Sequence, residues 1–205
     1  MVREVFSAVV LSGWCATALA GPSLCADAAQ TATVRAFYAT ATVPPTFMAA
    51  TKLSLPEAIV ASALVGKQTV GTTGAGFDKV WTSLQAWDDA TVVLVKGANV
   101  MEVRGRIPPG APSTRSQFFN LKQEGAGLGG HLRPDELGAI YAIDVAGAQG
   151  PVRGITFVDA AGESLFGVYV PEAAEPKPAL VAQFEKTRAV IAALARVCPS
   201  PGSGG

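Results

Sequence analysis

The sequence predicts an α+β fold: short helices at the N-terminal end, an antiparallel β-meander sheet in the middle and a long C-terminal helix. Three observations carry that prediction. Apolar residues recur at helical spacing at positions 77, 80, 81, 84 and 87, and again at 180, 184, 191 and 194. Between them lie β-branched runs of strand length closed by tight turns. No alternation of strands with helices, as a parallel sheet would need, is found. With 205 residues, 49% of them hydrophobic and 16% charged, the chain is large enough for one domain with a full core.

The elements follow in order. Residues 34–38 form a short amphipathic piece, broken by Pro44 and Pro45 and resumed over 46–51. Ser54-Leu55-Pro56-Glu57 reads as a capping box with proline just inside the helix start, opening a helix over 58–64. A helix-turn-helix that reads DNA would need base-reaching polar residues on its second helix. This one offers Pro56, Glu57, Ala58, Ile59, Val60, Ala61 and Ser62, so it is a packing module. Residues 66–76, rich in Gly and Thr, read as a loop. The stripe of Phe77, Val80, Trp81, Leu84 and Trp87 belongs to a core-facing helix.

Strands are then expected at 91–95 and 99–103 around the turn Lys96-Gly97-Ala98. Others follow at 117–123, 128–133, 137–145, 152–158 and 163–170, the last two joined by Asp159-Ala160-Ala161-Gly162. A Pro- and Ala-rich hinge at 172–178 leads into a helix over 179–197, which Pro199 stops. The organisation is therefore an N-terminal segment 1–30, a folded domain 31–198 and a tail 199–205.

Residues 1–30 resemble a secretory signal, with Arg3, an uncharged run from Val5 to Cys25 and Ala18-Leu19-Ala20 as a cleavage pattern. The alternative is a start codon assigned too far upstream. Cys15, Cys25 and Cys198 make neither a disulfide framework nor a zinc site. Lys plus Arg and Asp plus Glu balance at 16 each, so no general field attracts nucleic acid. His131 is the single histidine, which excludes zinc sites built from several His or Cys ligands. Adjacent acids such as Asp88-Asp89 and Asp135-Glu136 point apart and read as turn and cap residues rather than a general acid/base pair.

Along residues 34–197 the chain resembles the HutX/ChuX-type haem-utilisation carriers. The matching elements are Val34-Arg35-Ala36-Phe37, the 53–64 helix, Phe77-Asp78 with Val80-Trp81, Leu84 and Trp87, then Pro108-Pro109-Gly110, Phe119-Asn120-Leu121 and Gly130-His131-Leu132. The resemblance implies half of a HemS-like fold, assembled as a homodimer that carries haem in the cytoplasm. It further implies hand-over of the haem to a haem-degrading enzyme or to haem-uptake machinery, without catalysis. Two positions depart from the family pattern: Phe118 stands where tyrosine is frequent, and Val95 where some members have histidine. Neither Phe nor Val can ligate iron.

Haem asks for an iron donor, an apolar surface for its macrocycle and cations for its propionates. On the resemblance, His131 is the expected metal ligand, and one reversible imidazole bond suits a carrier that must release its load. Gly125, Gly127, Gly129 and Gly130 precede it and would let backbone approach a flat ring, with Gly130 in the site itself. Phe118 and Phe119 face opposite ways on a strand, and Phe118 is expected against haem. Arg115 and Lys122 are the expected propionate partners, with Arg104 a weaker candidate. Two other functions compete: an exported, periplasmic binder of haem or another apolar ligand on the same fold, and a haem-modifying enzyme. The enzyme would need a distal group that a chain with one histidine does not offer.

Overall fold

A computed structural model of the chain describes residues 23–39, 43–97, 99–123, 127–173 and 175–199. Residues 1–22 of the signal-like segment, with Cys15, the turn residue Ala98, Gly125 of the glycine run and most of the C-terminal tail lie outside the described residues. Three helices open the fold: α1 (Ala28–Tyr38), α2 (Thr46–Leu53) and α3 (Glu57–Ala63). Strand β1 (Thr69–Thr73) and helix α4 (Phe77–Leu84) follow. Next come β2 (Ala90–Lys96), β3 (Asn99–Gly105), β4 (Gly110–Pro112), β5 (Phe119–Leu121), β6 (Gly130–Leu132), β7 (Leu137–Gly147), β8 (Gly150–Asp159) and β9 (Ser164–Tyr169). Helix α5 (Pro178–Ala192) ends the regular structure. The α+β architecture is the one the sequence predicts.

The sheet departs from a plain meander in two ways. Six strands form one antiparallel sheet in the order β1-β7-β8-β9-β2-β3, while β4, β5 and β6 form a separate three-stranded sheet. The hairpins β2–β3, β7–β8 and β8–β9 are the expected ones. Strand β1 occupies part of the expected loop. Its polar residues tolerate burial because their hydroxyls are satisfied: Thr69 donates to the Ala61 carbonyl and Thr72 to that of Ala195, each at 2.7 Å. The glycines there are close-approach residues, since a Cβ on Gly71 would collide with the Tyr141 ring and one on Gly74 with the Leu137 backbone.

Two apolar layers sandwich the large sheet. On one face α4 and α5 bury Phe77, Trp81, Leu84, Phe184 and Ile191 against Ile140, Ile155, Phe157 and Val168. On the other, α1–α3 bury Val34, Val60 and Leu64 against Tyr141, Ile143 and Val158. Both described tryptophans find an acceptor for the ring N–H, Trp81 Nε1 at the Pro108 carbonyl (3.2 Å) and Trp87 Nε1 at Thr187 Oγ1 (3.0 Å).

Three local expectations are corrected. The capping box sits at Asp27 and Gln30, where Asp27 Oδ1 accepts from the Gln30 N–H at 2.8 Å and Gln30 Oε1 from the Asp27 N–H at 3.0 Å. Ser54 instead is the C-cap of α2 in a left-handed conformation, φ 53°, and α3 starts after Pro56 with no side-chain cap. Glu57 turns inward, and its Oε1 accepts from Thr46 Oγ1 at 2.6 Å. Helix α5 stops at Ala192 because the chain then lies along β1, with the Thr73 N–H donating to the Ala195 carbonyl at 3.3 Å. The cysteines do pair: Cys25 is disulfide-bonded to Cys198 across 173 residues, with Cα atoms 5.7 Å apart. Spacing gave no hint of it because the bond joins the two ends of the fold. Folded structure accordingly reaches back before residue 31, with the Ala26 N–H on Ser62 Oγ at 2.8 Å. Among the described residues no helix is long and apolar enough to cross a membrane.

Two stability predictions follow from these buried features. Replacing Cys25 and Cys198 by serine should cost about 2–5 kcal/mol in urea denaturation, since the cross-link closes a loop of most of the chain. Burial holds the Glu57 carboxyl above its ordinary range, with hydroxyls from Thr46, Ser164 and Thr156 opposing the shift. The folded state therefore keeps a proton that the unfolded state loses, so this residue lowers stability as pH rises above the ordinary carboxylate range. Glu57→Gln should leave stability similar at acidic pH and raise it near neutrality, measured by thermal melts at both pH values.

Candidate functional site

Residues Gly110 to Leu132 build the small sheet, and its register sorts the side chains. Phe119 pairs with Leu132, Asn120 with His131 and Leu121 with Gly130, while Ala111 lies across from Asn120 on the other side. Alternation along β5 then sends Phe119 inward and Phe118 and Asn120 outward. Phe119 is buried at 7% exposure, with its ring edge-on to Phe77 at 5.1 Å and to Trp81 at 6.1 Å. Phe118 is 40% exposed. Register and alternation thus place His131, Asn120, Phe118 and Ala111 on the outer face of the sheet.

His131 and Phe118 lie side by side, ring centroids 5.6 Å apart and planes tilted by 50°. His131 Nδ1 is 2.8 Å from Asn120 Oδ1. Just before it, Gly130 has φ +133°, and a Cβ there would meet no atom within 4 Å. The glycine is thus needed for backbone conformation rather than for space. The Arg133 guanidinium lies 5.8 Å from the Phe118 ring centroid. It is also held by Asp135 (2.8 and 2.6 Å) and Glu136 (3.0 Å). Asp135 beside it holds the Arg133 guanidinium above its ordinary range, and Arg133 holds the Asp135 carboxyl below its own.

The expected site residues are therefore partly gathered. His131, Gly130 and Phe118 share one patch. Lys122 and Arg115 are both exposed, but they stand beyond opposite ends of β5. Four extended residues, about 13 Å, already separate Phe118 from Lys122, and Arg115 lies further out in the turn where its N–H meets Ser113 Oγ at 3.1 Å. Both propionates leave a haem on the same edge, so a single haem would meet one of these cations at that edge, not both. Arg104 lies elsewhere, on β3 of the large sheet, locked to Asp89 through Nε (3.1 Å) and Nη2 (2.6 Å). Val95 is on the same large sheet, in β2.

Sequence reasoning passed over Asn120 and Arg133. The signal for Asn120 was its place in the Phe-Asn-Leu motif, readable only once the pairing with His131 is known. A cleft of about 360 Å³ borders the patch at Phe118, Phe119 and Pro134, and one of about 480 Å³ lies by Arg106, Pro109 and Leu128. Another cleft, about 430 Å³ between Phe47, Val93 and Tyr169, lies by the large sheet. It is lined by no histidine, and burial holds its Tyr169 phenol well above the ordinary range. Among the described residues no cluster of His, Cys, Asp and Glu could hold a bare metal ion. The patch offers one exposed imidazole beside an aromatic ring rather than a multidentate ligand set.

Comparison with known proteins bears on the family and the fold. The profile of the haem utilisation ChuX/HutX family matches residues 70–187, more than half of the chain. A crystal structure of ChuX superposes with a TM-score of 0.67 at 19% identity, covering 77% of this chain and 97% of that one. A structural-genomics protein from Agrobacterium tumefaciens gives 0.67 at 25% identity over 80% and 92%. Haem-loaded PhuS, a haem-binding protein from Pseudomonas aeruginosa, gives 0.63 at 14% identity over 81% of this chain and 49% of its own. No curated protein matches in sequence.

The two phenylalanines should separate cleanly on mutation. Phe119→Ala should cost about 3–5 kcal/mol, the range for emptying an aromatic core site, whereas Phe118→Ala should stay within about 0.5 kcal/mol. Guanidinium denaturation of both variants checks this.

Proposed function

Because the chain belongs to the ChuX/HutX haem-utilisation family, we propose that it is a haem carrier, binding haem on the outer face of its small sheet and passing it on unaltered. His131 is the iron ligand, Phe118 contacts the macrocycle, and Gly130 sets the backbone turn that presents the imidazole. Arg115 or Lys122 meets the propionates, whichever end of β5 they face. The observation that carries this reading is an exposed imidazole beside an aromatic ring on the outer strand face. One strong ligand on an open surface holds haem reversibly, which suits delivery. Oxygen activation would call for a distal proton donor over the iron, and the sequence holds no second histidine; carriage rather than turnover is the better reading.

The platform covers one side of a bound haem, and a second copy of the chain is the partner that supports a homodimer. The exposed edge strand β3, with Val100, Met101 and Val103 out in solvent, is available for such an assembly.

A second reading concerns compartment. The family resemblance points to the cytoplasm, but the Cys25–Cys198 disulfide favours export, since structural disulfides persist in oxidising compartments. Cys25 lies five residues after the Ala18-Leu19-Ala20 cleavage pattern, so cleavage there would leave it in the mature chain. In that reading the carrier works outside the cytoplasm and its receiving partner belongs to the haem-uptake machinery.

Haemin titration tests the function: chain beginning at residue 21 should develop a Soret band at one haem per subunit, and His131→Ala should shift that band and weaken binding. A colourless wild type would end the carrier reading. Intact mass of natively expressed protein tests the compartment, with a chain starting at Gly21 and two mass units short of full reduction expected.

A further inference from the structure

We propose that Asn120 is a positioning residue that fixes the tautomer of His131, holding its proton on Nδ1 so that Nε2 stays bare and faces outward for iron. The proposal rests on the reading of His131 as the haem ligand.

The argument starts from register. Asn120 and His131 are directly opposed across β5 and β6, so both side chains leave the same face of the small sheet. Asn120 Oδ1 lies 2.8 Å from His131 Nδ1. An amide oxygen only accepts, so the proton of that hydrogen bond belongs to Nδ1. A neutral imidazole carries one N–H, and the remaining lone pair is then on Nε2. Reversing the amide would reverse the chemistry: its NH2 would donate to Nδ1, Nε2 would carry the proton, and iron would meet an N–H instead of a lone pair.

Asn120 is well placed to impose this choice. It is half-buried on the central strand of its sheet, with backbone partners on both sides, Ala111 on β4 and His131 on β6. The next residue back, Phe119, is wedged against Phe77 and Trp81 and cannot slide without opening the core. His131 is exposed and has Gly130 before it, so its own backbone constrains the ring weakly. The hydrogen bond supplies the aim that backbone does not. Outer partners of this kind raise ligand basicity and fix ring orientation, and their loss weakens metal affinity roughly 10–100-fold.

The tautomer can be read without haem, because the chain holds a single histidine and hence a single imidazole spin system. Long-range 1H–15N spectra of the apo protein at mildly alkaline pH should show Nδ1 as the protonated nitrogen. Asn120→Leu should return the ring to the Nε2–H form that free histidine favours and lower haemin affinity by roughly 10–100-fold. Asn120→Asp, isosteric and still an acceptor, should keep the Nδ1–H form and retain affinity. Wild-type protein with Nε2 protonated would overturn the proposal, as would an Asn120→Leu variant with unchanged tautomer and affinity. Failure of the underlying reading looks different: a wild type that stays colourless ends the carrier reading, and a His131→Ala variant that binds haemin as wild type does removes His131 as the ligand, whatever the tautomer spectra report.

Discussion

The edge-on packing of Phe119 against the stacked pair Phe77 and Trp81 is the constraint on which the site depends. Burying that ring is worth roughly 2–3 kcal/mol in transfer terms alone, and it is the main apolar contact by which a three-residue strand is tied to the core. A sheet of three short strands would be marginal in isolation. Docked by Phe119, with Leu121, Leu128 and Leu132 packed against the same cluster, it becomes a rigid plate. The tie is doubled at its entrance, where Trp81 Nε1 holds the Pro108 carbonyl just before β4 and the Lys122 N–H holds that of Pro109. Strand periodicity does the rest: with residue 119 committed inward, residues 118 and 120 must face solvent.

That arrangement divides labour between stability and function along a single strand. Inward residues are held by aromatic packing, and outward ones are free to carry chemistry at little cost to the fold. The outer face is correspondingly spare, with one nitrogen donor, one aromatic ring and few polar atoms. Its charges are local too. Arg133 is neutralised by Asp135 and Glu136, in keeping with a chain whose formal charges cancel. A site without a long-range field draws ligand in by contact rather than by steering. Under the proposed carrier role, an open face of this kind would suit a hydrophobic, largely planar cargo, since tight enclosure would slow release.

Much of this was legible beforehand, and the exceptions share a cause. The 3.6-residue stripe on α4 and the hairpins β2–β3 and β8–β9 depend on local signals, periodicity and turn residues, and they lie where periodicity puts them. The opposite facing of Phe118 and Phe119 follows from alternation alone. What could not be read was non-local. Strand β1 hides in a Gly- and Thr-rich run because its hydroxyls are satisfied by carbonyls from α3 and the C-terminal segment. Glu57 looked like a cap residue because its true partner, Thr46, is eleven residues earlier on another helix. The secession of β4–β6 into their own sheet, and with it the facing of Asn120 and His131, needs a register that no single strand encodes.

The same distinction bears on how a haem-utilisation fold could be fitted for an oxidising compartment. The disulfide lies at the β1 edge of the large sheet, where the Tyr141 hydroxyl donates to the Leu24 carbonyl at 3.2 Å and Thr72 bridges Arg196. Sheet order places this edge at one extreme, with β3 at the other, and the candidate site belongs to a different sheet altogether. Joining the ends there restrains both termini of the unfolded chain without touching Phe119, Asn120 or His131. A covalent closure of the fold and a reversible ligand surface can therefore change independently, which is what allows one scaffold to keep its ligand chemistry while its surroundings differ.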